Sequence, residues 1–199
     1  MIFLSASVPK IGREFYEKSN PLYIREAIVA FTAVCMENNI PFYFGGHPAI
    51  TPLVYQTACN NKEESKVGGL IQIYQSEYFK QSFPPELAYY KNIVFTPQKE
   101  DRIESVSYMR ERMFEEHKGD TSMAVFIGGM EGVIDEAMRL RDQYPNVKLC
   151  PIPSTGCAAE YIYEKGNFNT DYLRKQCGGL ELTWFYMSMF RKLLINDTL

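Results

Sequence analysis

The sequence has no excess of positive charge: 21 lysines and arginines stand against 24 acidic residues, for a formal net charge of -3. The pI is about 5.5. A chain with no basic stripe offers nothing to a phosphate backbone, so no nucleic-acid partner is expected. Small anions remain open, because backbone amides and a few placed arginines bind them without a basic surface. The five cysteines, Cys35, Cys59, Cys150, Cys157 and Cys177, are odd in number and show no CxxC spacing. That excludes a disulfide framework and a zinc site, so no metal is expected and the thiols read as small apolar residues. No run approaches the roughly 20 apolar residues of a membrane helix, so no membrane partner is expected. The chain opens directly on strand-like Ile2 to Ser7, with no basic, apolar leader. A cytoplasmic protein is the expectation. There is no repeat, low-complexity tract or linker.

What is present is a chain of 199 residues with 46% hydrophobic content, enough for one substantial core and read as one domain over residues 1–199. Short apolar runs alternate with segments of helical periodicity. Strands are predicted near Ile2–Ala6, Pro41–Phe44, Leu70–Tyr74, Ile93–Phe95, Met123–Ile127 and Val147–Pro151. Helices are predicted near Leu22–Asn38, Ala49–Cys59, Arg102–Glu116 and Gly132–Gln143, with a closing helix in the aromatic tail from Leu180 to Ile195. In the first helix Ile24, Ala27, Ile28, Phe31, Val34 and Cys35 recur at helical spacing and should face the sheet. The alternation predicts an α/β fold, a Rossmann-like, mainly parallel sheet with helices on both faces.

In such a sheet ligands sit beyond the carboxyl ends of the strands. Three strand exits carry small residues: Gly45-Gly46-His47, Gly128-Gly129 and Ser154-Thr155-Gly156. Glycine permits positive φ and close approach of a phosphate, and the following helix offers unpaired N–H groups. The stretch Gly128-Gly129-Met130-Glu131-Gly132-Val133-Ile134-Asp135-Glu136 is the most informative. Glu136 falls early in the helix, where a carboxylate either offsets the helix dipole, binds a sugar hydroxyl or acts in acid/base chemistry.

This stretch resembles a superfamily that includes the plant LOG phosphoribohydrolases, the bacterial proteins once labelled lysine decarboxylases, and the SLOG ligand-sensing domains of prokaryotic defence systems. Its phosphoribohydrolases carry Pro-Gly-Gly-x-Gly-Thr-x-x-Glu after a strand. Here one extra residue separates the second and third glycines, Ile127 replaces the proline and Val133 the threonine. Tyr43-Phe44-Gly45-Gly46-His47 is similar to the family's aromatic-glycine strand exit, and Ile2 to Ser7 to its first strand. The SLOG branch is the nearest in character. That implies a nucleotide-derived second messenger as ligand and a role in antiviral defence; the apolar tail adds the expectation of a homodimer or higher homo-oligomer, and the output expected is that assembly or a separate effector protein.

Two arguments disagree over the functional arginine. At about 100° per residue, Ile103, Val106, Met109 and Met113 share a face that contains Arg110, with Arg112 on its flank. An arginine on an apolar face needs a carboxylate, carbonyl or phosphate, which favours Arg110. The family's Met-His-x-Arg helix instead carries the role to Arg112. The sequence reading sides with Arg112 by a small margin and keeps both as ligand contacts. Either arginine is also open to a structural ion pair with Glu111 or Glu115. Ser5 and Ser7 are candidates for phosphate or ribose, or for capping a loop. His47 reads as a ligand contact or cap rather than a base, since no nucleophile or paired acid is visible. Tyr74, Tyr78 and Phe79 are candidates to stack on a base. The tail around Trp184, Phe185, Tyr186, Met187, Met189 and Phe190 needs cover from the domain or another subunit.

The complete ligand-binding expectation therefore comprises Ser5, Ser7, Gly45, Gly46, His47, Arg110, Arg112, Gly128, Gly129, Met130, Glu131, Gly132, Glu136, Ser154 and Thr155, with no cofactor. Two functions follow from it. One is a sensor that binds a nucleotide-derived ligand intact; the other is a nucleoside 5'-monophosphate phosphoribohydrolase in which Arg112 and Glu136 are catalytic. A dehydrogenase is disfavoured, because no GxGxxG follows the first strand. No site for pyridoxal supports the old decarboxylase label.

Overall fold

The computed structural model describes residues 1–165, 168 and 170–195. Six strands, β1 (Ile2–Ser7), β2 (Phe42–Gly45), β3 (Ile71–Ser76), β4 (Ile93–Thr96), β5 (Met123–Gly128) and β6 (Lys148–Ile152), form one sheet in the order β4-β3-β2-β1-β5-β6. Every pairing is parallel. Eight helices surround it: α1 (Pro21–Glu37), α2 (Thr51–Asn61), α3 (Glu64–Val67), α4 (Arg102–Glu116), α5 (Glu131–Gln143), α6 (Cys157–Glu164), α7 (Asp171–Cys177) and α8 (Tyr186–Leu194). This is a Rossmann-like α/β fold. Among the described residues no helix is long and apolar enough to cross a membrane.

Every residue of β5 is buried, which is why Met-Ala-Val-Phe-Ile reads as a continuous apolar run rather than an alternating one. One core layer packs α1, α2, α7 and α8 on the sheet around Phe31, Phe42, Phe44 and Phe190. The other packs α4, α5 and α6 around Phe3, Tyr43, Met113 and Phe126. In α1, Asn20 accepts the Tyr23 N–H at 3.2 Å and Pro21 takes the first helical position, two local signals that set its start. All six residues expected to face the sheet from α1 are buried.

β1 lies between β2 and β5. The chain winds outward from β1 to β4 on one side and returns to β5 on the other, so the sheet's topological switch point falls between β1 and β5. α4 spans the residues expected of it, but Ile103 does not join the apolar face: it is 74% exposed. It belongs to the first turn, where Arg102 and Glu104 are exposed as well. Between β3 and β4 the chain forms two 3-10 segments, Glu77–Ser82 and Pro85–Tyr89, with Pro84 and Pro85 barring a continuous helix. α6 and α7, too short for a clear periodic signal, go beyond the sequence expectations. The tail is a 3-10 turn at Leu180–Leu182 followed by α8 rather than one helix. All five cysteines are free.

Candidate functional site

A cleft of about 180 Å³ opens at the carboxyl ends of β1 and β2, lined also by α4 and α5. Ser5 and Ser7 reach it from β1, and Gly45, Gly46 and His47 from the exit of β2. Met130, Glu131, Gly132 and Glu136 reach it from the start of α5. Val106, Met109 and Arg110 come from α4. Its volume is below the roughly 300–1,000 Å³ of a site that encloses a drug-sized ligand. Phe79 also lines the cleft.

Glu136 is the centre of the site. Ser5 Oγ donates to its Oε2 at 2.5 Å, and Arg110 Nε donates to its Oε1 at 2.7 Å. Arg110 Nη2 donates to the Gly132 carbonyl at 3.0 Å, and Asp135 lies 3.9 Å from Nη1. The Arg110 and Glu136 side chains are 15% and 13% exposed. The pair is thus shielded enough to fix both groups while leaving an edge open to the cleft. Gly132 leaves room for this contact: a Cβ there would stand 2.4 Å from Arg110 Nη2, and the guanidinium would have to shift. As first-turn amides of a 13-residue helix, Glu131 and Gly132 have no intrahelical acceptor for their N–H groups. They present positive potential at the cleft.

Gly128 and Gly129 act differently. Their φ values of 60° and 97° are left-handed, so glycine makes the turn. Their N–H groups, however, are already engaged. Gly128 donates to Thr155 Oγ1 at 2.8 Å, and Gly129 donates to the Ser7 carbonyl at 2.9 Å. Thr155 in turn donates to the Ile152 carbonyl at 2.6 Å. Gly128, Gly129 and Thr155 therefore shape the strand exit from behind it. Ser154 points away, donating to the Tyr186 hydroxyl at 3.3 Å.

The structure also separates the two arginines. Arg112 pairs with Glu116 at 3.3 Å, is 56% exposed and lies off the cleft. Arg110, which the helix-face argument favoured, lines the cleft, and Arg112, which the motif argument favoured, does not. His47 Nδ1 accepts the Ala49 N–H at 3.2 Å, and the His47 N–H donates to Thr51 Oγ1 at 3.1 Å. Burial, with a smaller push from Lys10, lowers its imidazole to about 4. It is neutral at physiological pH and, with Nδ1 accepting, carries its proton on Nε2. Of the proposed stacking residues only Phe79 lines the cleft; Tyr74 is buried, with its hydroxyl bonded to His117 at 3.1 Å.

Sequence reasoning missed Arg13 and Arg102, both in the cleft wall. Arg13 comes from the loop between β1 and α1 and pairs with Glu131 at 3.2 Å, a contact across 118 residues that no local pattern announces. Arg102 did leave a signal, a positive charge in the first turn of a helix, where the dipole opposes it.

The model of the SLOG cluster3 family matches residues 14–194. The chain belongs to the SLOG cluster3 family. The match takes in the cleft residues from β2, α4 and α5 and begins just after β1 and Arg13. A search of curated proteins finds no match to the chain.

Proposed function

We propose that this SLOG domain binds a nucleotide-derived ligand at the exits of β1 and β2 and holds it intact as a signal. The observation that carries this reading is the state of Glu136: each carboxylate oxygen is engaged, one by Ser5 and one by Arg110. A carboxylate held in this way is suited to fixing a ribose hydroxyl at its remaining lone pairs. It is poorly placed to activate water. The neutral His47 adds a donor rather than a base. In this reading Ser5, Ser7 and Glu136 meet the sugar, positive charge in the cleft wall meets phosphate, and Phe79 meets the base. A sensor also needs two states of different ligand affinity. The output we propose is assembly, through the exposed Trp184 and Phe185, or action on a separate effector, in the antiviral setting that the family resemblance implies.

A second reading, hydrolysis of a nucleoside 5'-monophosphate at its N-glycosidic bond, is favoured by one feature. An arginine and a glutamate lie together in the cleft, where the glutamate would stabilise positive charge developing on the ribose. One experiment separates the two: purified protein is incubated with nucleoside monophosphates and ADP-ribose-type nucleotides, and thermal shift and free base by mass spectrometry are recorded. A stabilising ligand recovered intact, with its shift lost in Arg110→Ala, supports the sensor. Free base that disappears in Glu136→Gln overturns it.

A further inference from the structure

Charge in the cleft is matched residue by residue, with one remainder. Glu131 is answered by Arg13 and Glu136 by Arg110. Arg102, which lines the same cleft, has no hydrogen bond or ion pair among the described residues. Glu100, Asp101 and Glu104 are close in sequence, but none of them pairs with it, and Asp101 Oδ1 serves as the helix cap, accepting the Glu104 N–H at 2.8 Å. Lys99, just before the helix, adds positive charge and sits over the Tyr108 ring. A cation in the first turn of α4 also faces the positive end of the helix dipole. The helix dipole therefore disfavours an arginine at this position and no ion pair offsets it, and a breach of a local rule is where function is to be sought.

Arg102, Val106, Met109 and Arg110 all line the cleft, and their spacing of four, three and one places them along one side of α4. At about 1.5 Å per residue, Arg102 stands on the order of 12 Å along the helix from Arg110. Between the two cations lie Val106 and Met109, an apolar floor. The charge of Arg110 is already answered, with Nε and Nη2 engaged by Glu136 and the Gly132 carbonyl, whereas Arg102 has no such partner.

We infer that Arg102 is the anion anchor of this cleft: it binds the phosphate of the ligand at the open end of α4, while Arg110 serves to hold Glu136 against the sugar. This rests on the ligand-binding reading above and assigns roles within it. It has a signature that a structural arginine lacks. Removing Arg102 relieves an unfavourable charge in the free protein and removes an attraction in the complex, so stability and binding move in opposite directions.

The test is equilibrium binding of the four common ribonucleosides, their 5'-monophosphates and ADP-ribose to the full chain. Wild type, Arg102→Gln and Arg112→Gln are compared by calorimetry and thermal melting. Wild type is expected to favour a phosphorylated compound over its nucleoside by about tenfold or more. Arg102→Gln should lose most of that preference and its salt dependence, while its ligand-free melting temperature stays level or rises by about 2 °C. Arg112→Gln, exposed but off the cleft, should keep the preference. An unchanged phosphate preference in Arg102→Gln overturns this assignment alone, as does loss of binding together with a lowered melting temperature. Failure of wild type to bind any compound in the panel overturns the ligand-binding reading and the assignment with it.

Discussion

Arg110 Nε lies 2.7 Å from Glu136 Oε1, joining α4 to α5 across the floor of the cleft. The two residues are 26 apart in sequence, and their pairing turns two helix faces into one site. Removing one partner of a largely buried pair strands the other charge, at a cost below the roughly 3–5 kcal/mol of full burial because an edge faces solvent. Arg110→Met is expected to destabilise the protein by about 2–3 kcal/mol in urea unfolding. The double variant Arg110→Met with Glu136→Leu should recover part of that loss. Strictly additive losses would mean that the pair contributes no coupling.

Gly132 provides a test in which the usual sign reverses. Glycine to alanine inside a helix ordinarily stabilises by up to about 1 kcal/mol. Here the added Cβ would collide with Arg110 Nη2. Gly132→Ala is therefore expected to lower the melting temperature and weaken ligand binding together. A stabilised variant with normal binding would show that the Arg110 contact to the Gly132 carbonyl is dispensable.

His47 makes a prediction about pH. Its imidazole takes up a proton near 6.5 when unfolded, and only near 4 when folded. Between these values the unfolded chain binds more protons, so stability rises with pH across the window. The His47 contribution is complete above about pH 6.5 and lost as pH falls toward 4, on the order of 2–3 kcal/mol in all. His117, also lowered by burial, acts in the same direction. Urea unfolding at pH 4.5 and 7.5 should show a smaller pH dependence in His47→Gln than in wild type. An identical dependence would mean that His47 is not held neutral by the fold.

Arg112 supplies the contrast to Arg110. Its ion pair with Glu116 is an exposed i,i+4 contact, worth about 0.3–0.5 kcal/mol at most. Arg112→Ala is expected to change stability by less than about 0.5 kcal/mol and leave ligand binding intact. A large loss of binding would restore the motif-based assignment.

Trp184 and Phe185 are 62% and 57% exposed beside Leu22, at the rim of an apolar groove of about 410 Å³ between α1 and the start of α8. Should assembly run through this face, sedimentation of the wild type gives a mass above the monomer and Trp184→Asp returns it to one chain. A wild-type monomer that stays monomeric with bound ligand would remove assembly as the output.

Much of this was legible in the chain itself. Strand positions followed from apolar runs, the start of α1 from Asn20-Pro21, and α4 from its periodicity, because each depends on neighbours a few residues away. The strand-exit glycines Gly45 and Gly46 and the acid Glu136 were likewise readable, and all three line the cleft.

Tertiary structure decided the rest. Periodicity placed Arg110 on an apolar face, but only the packing of α4 beside α5 brought it to Glu136. Gly128 and Gly129 read as ligand contacts in sequence, and their N–H groups are taken by Thr155 and Ser7 from other strand exits. Arg13 was one charge in a polar loop until that loop met Glu131. A sequence specifies which face a residue occupies, since that angle is fixed by local backbone geometry. What the residue meets depends on contacts between segments distant in the chain, and the packed sheet alone sets them.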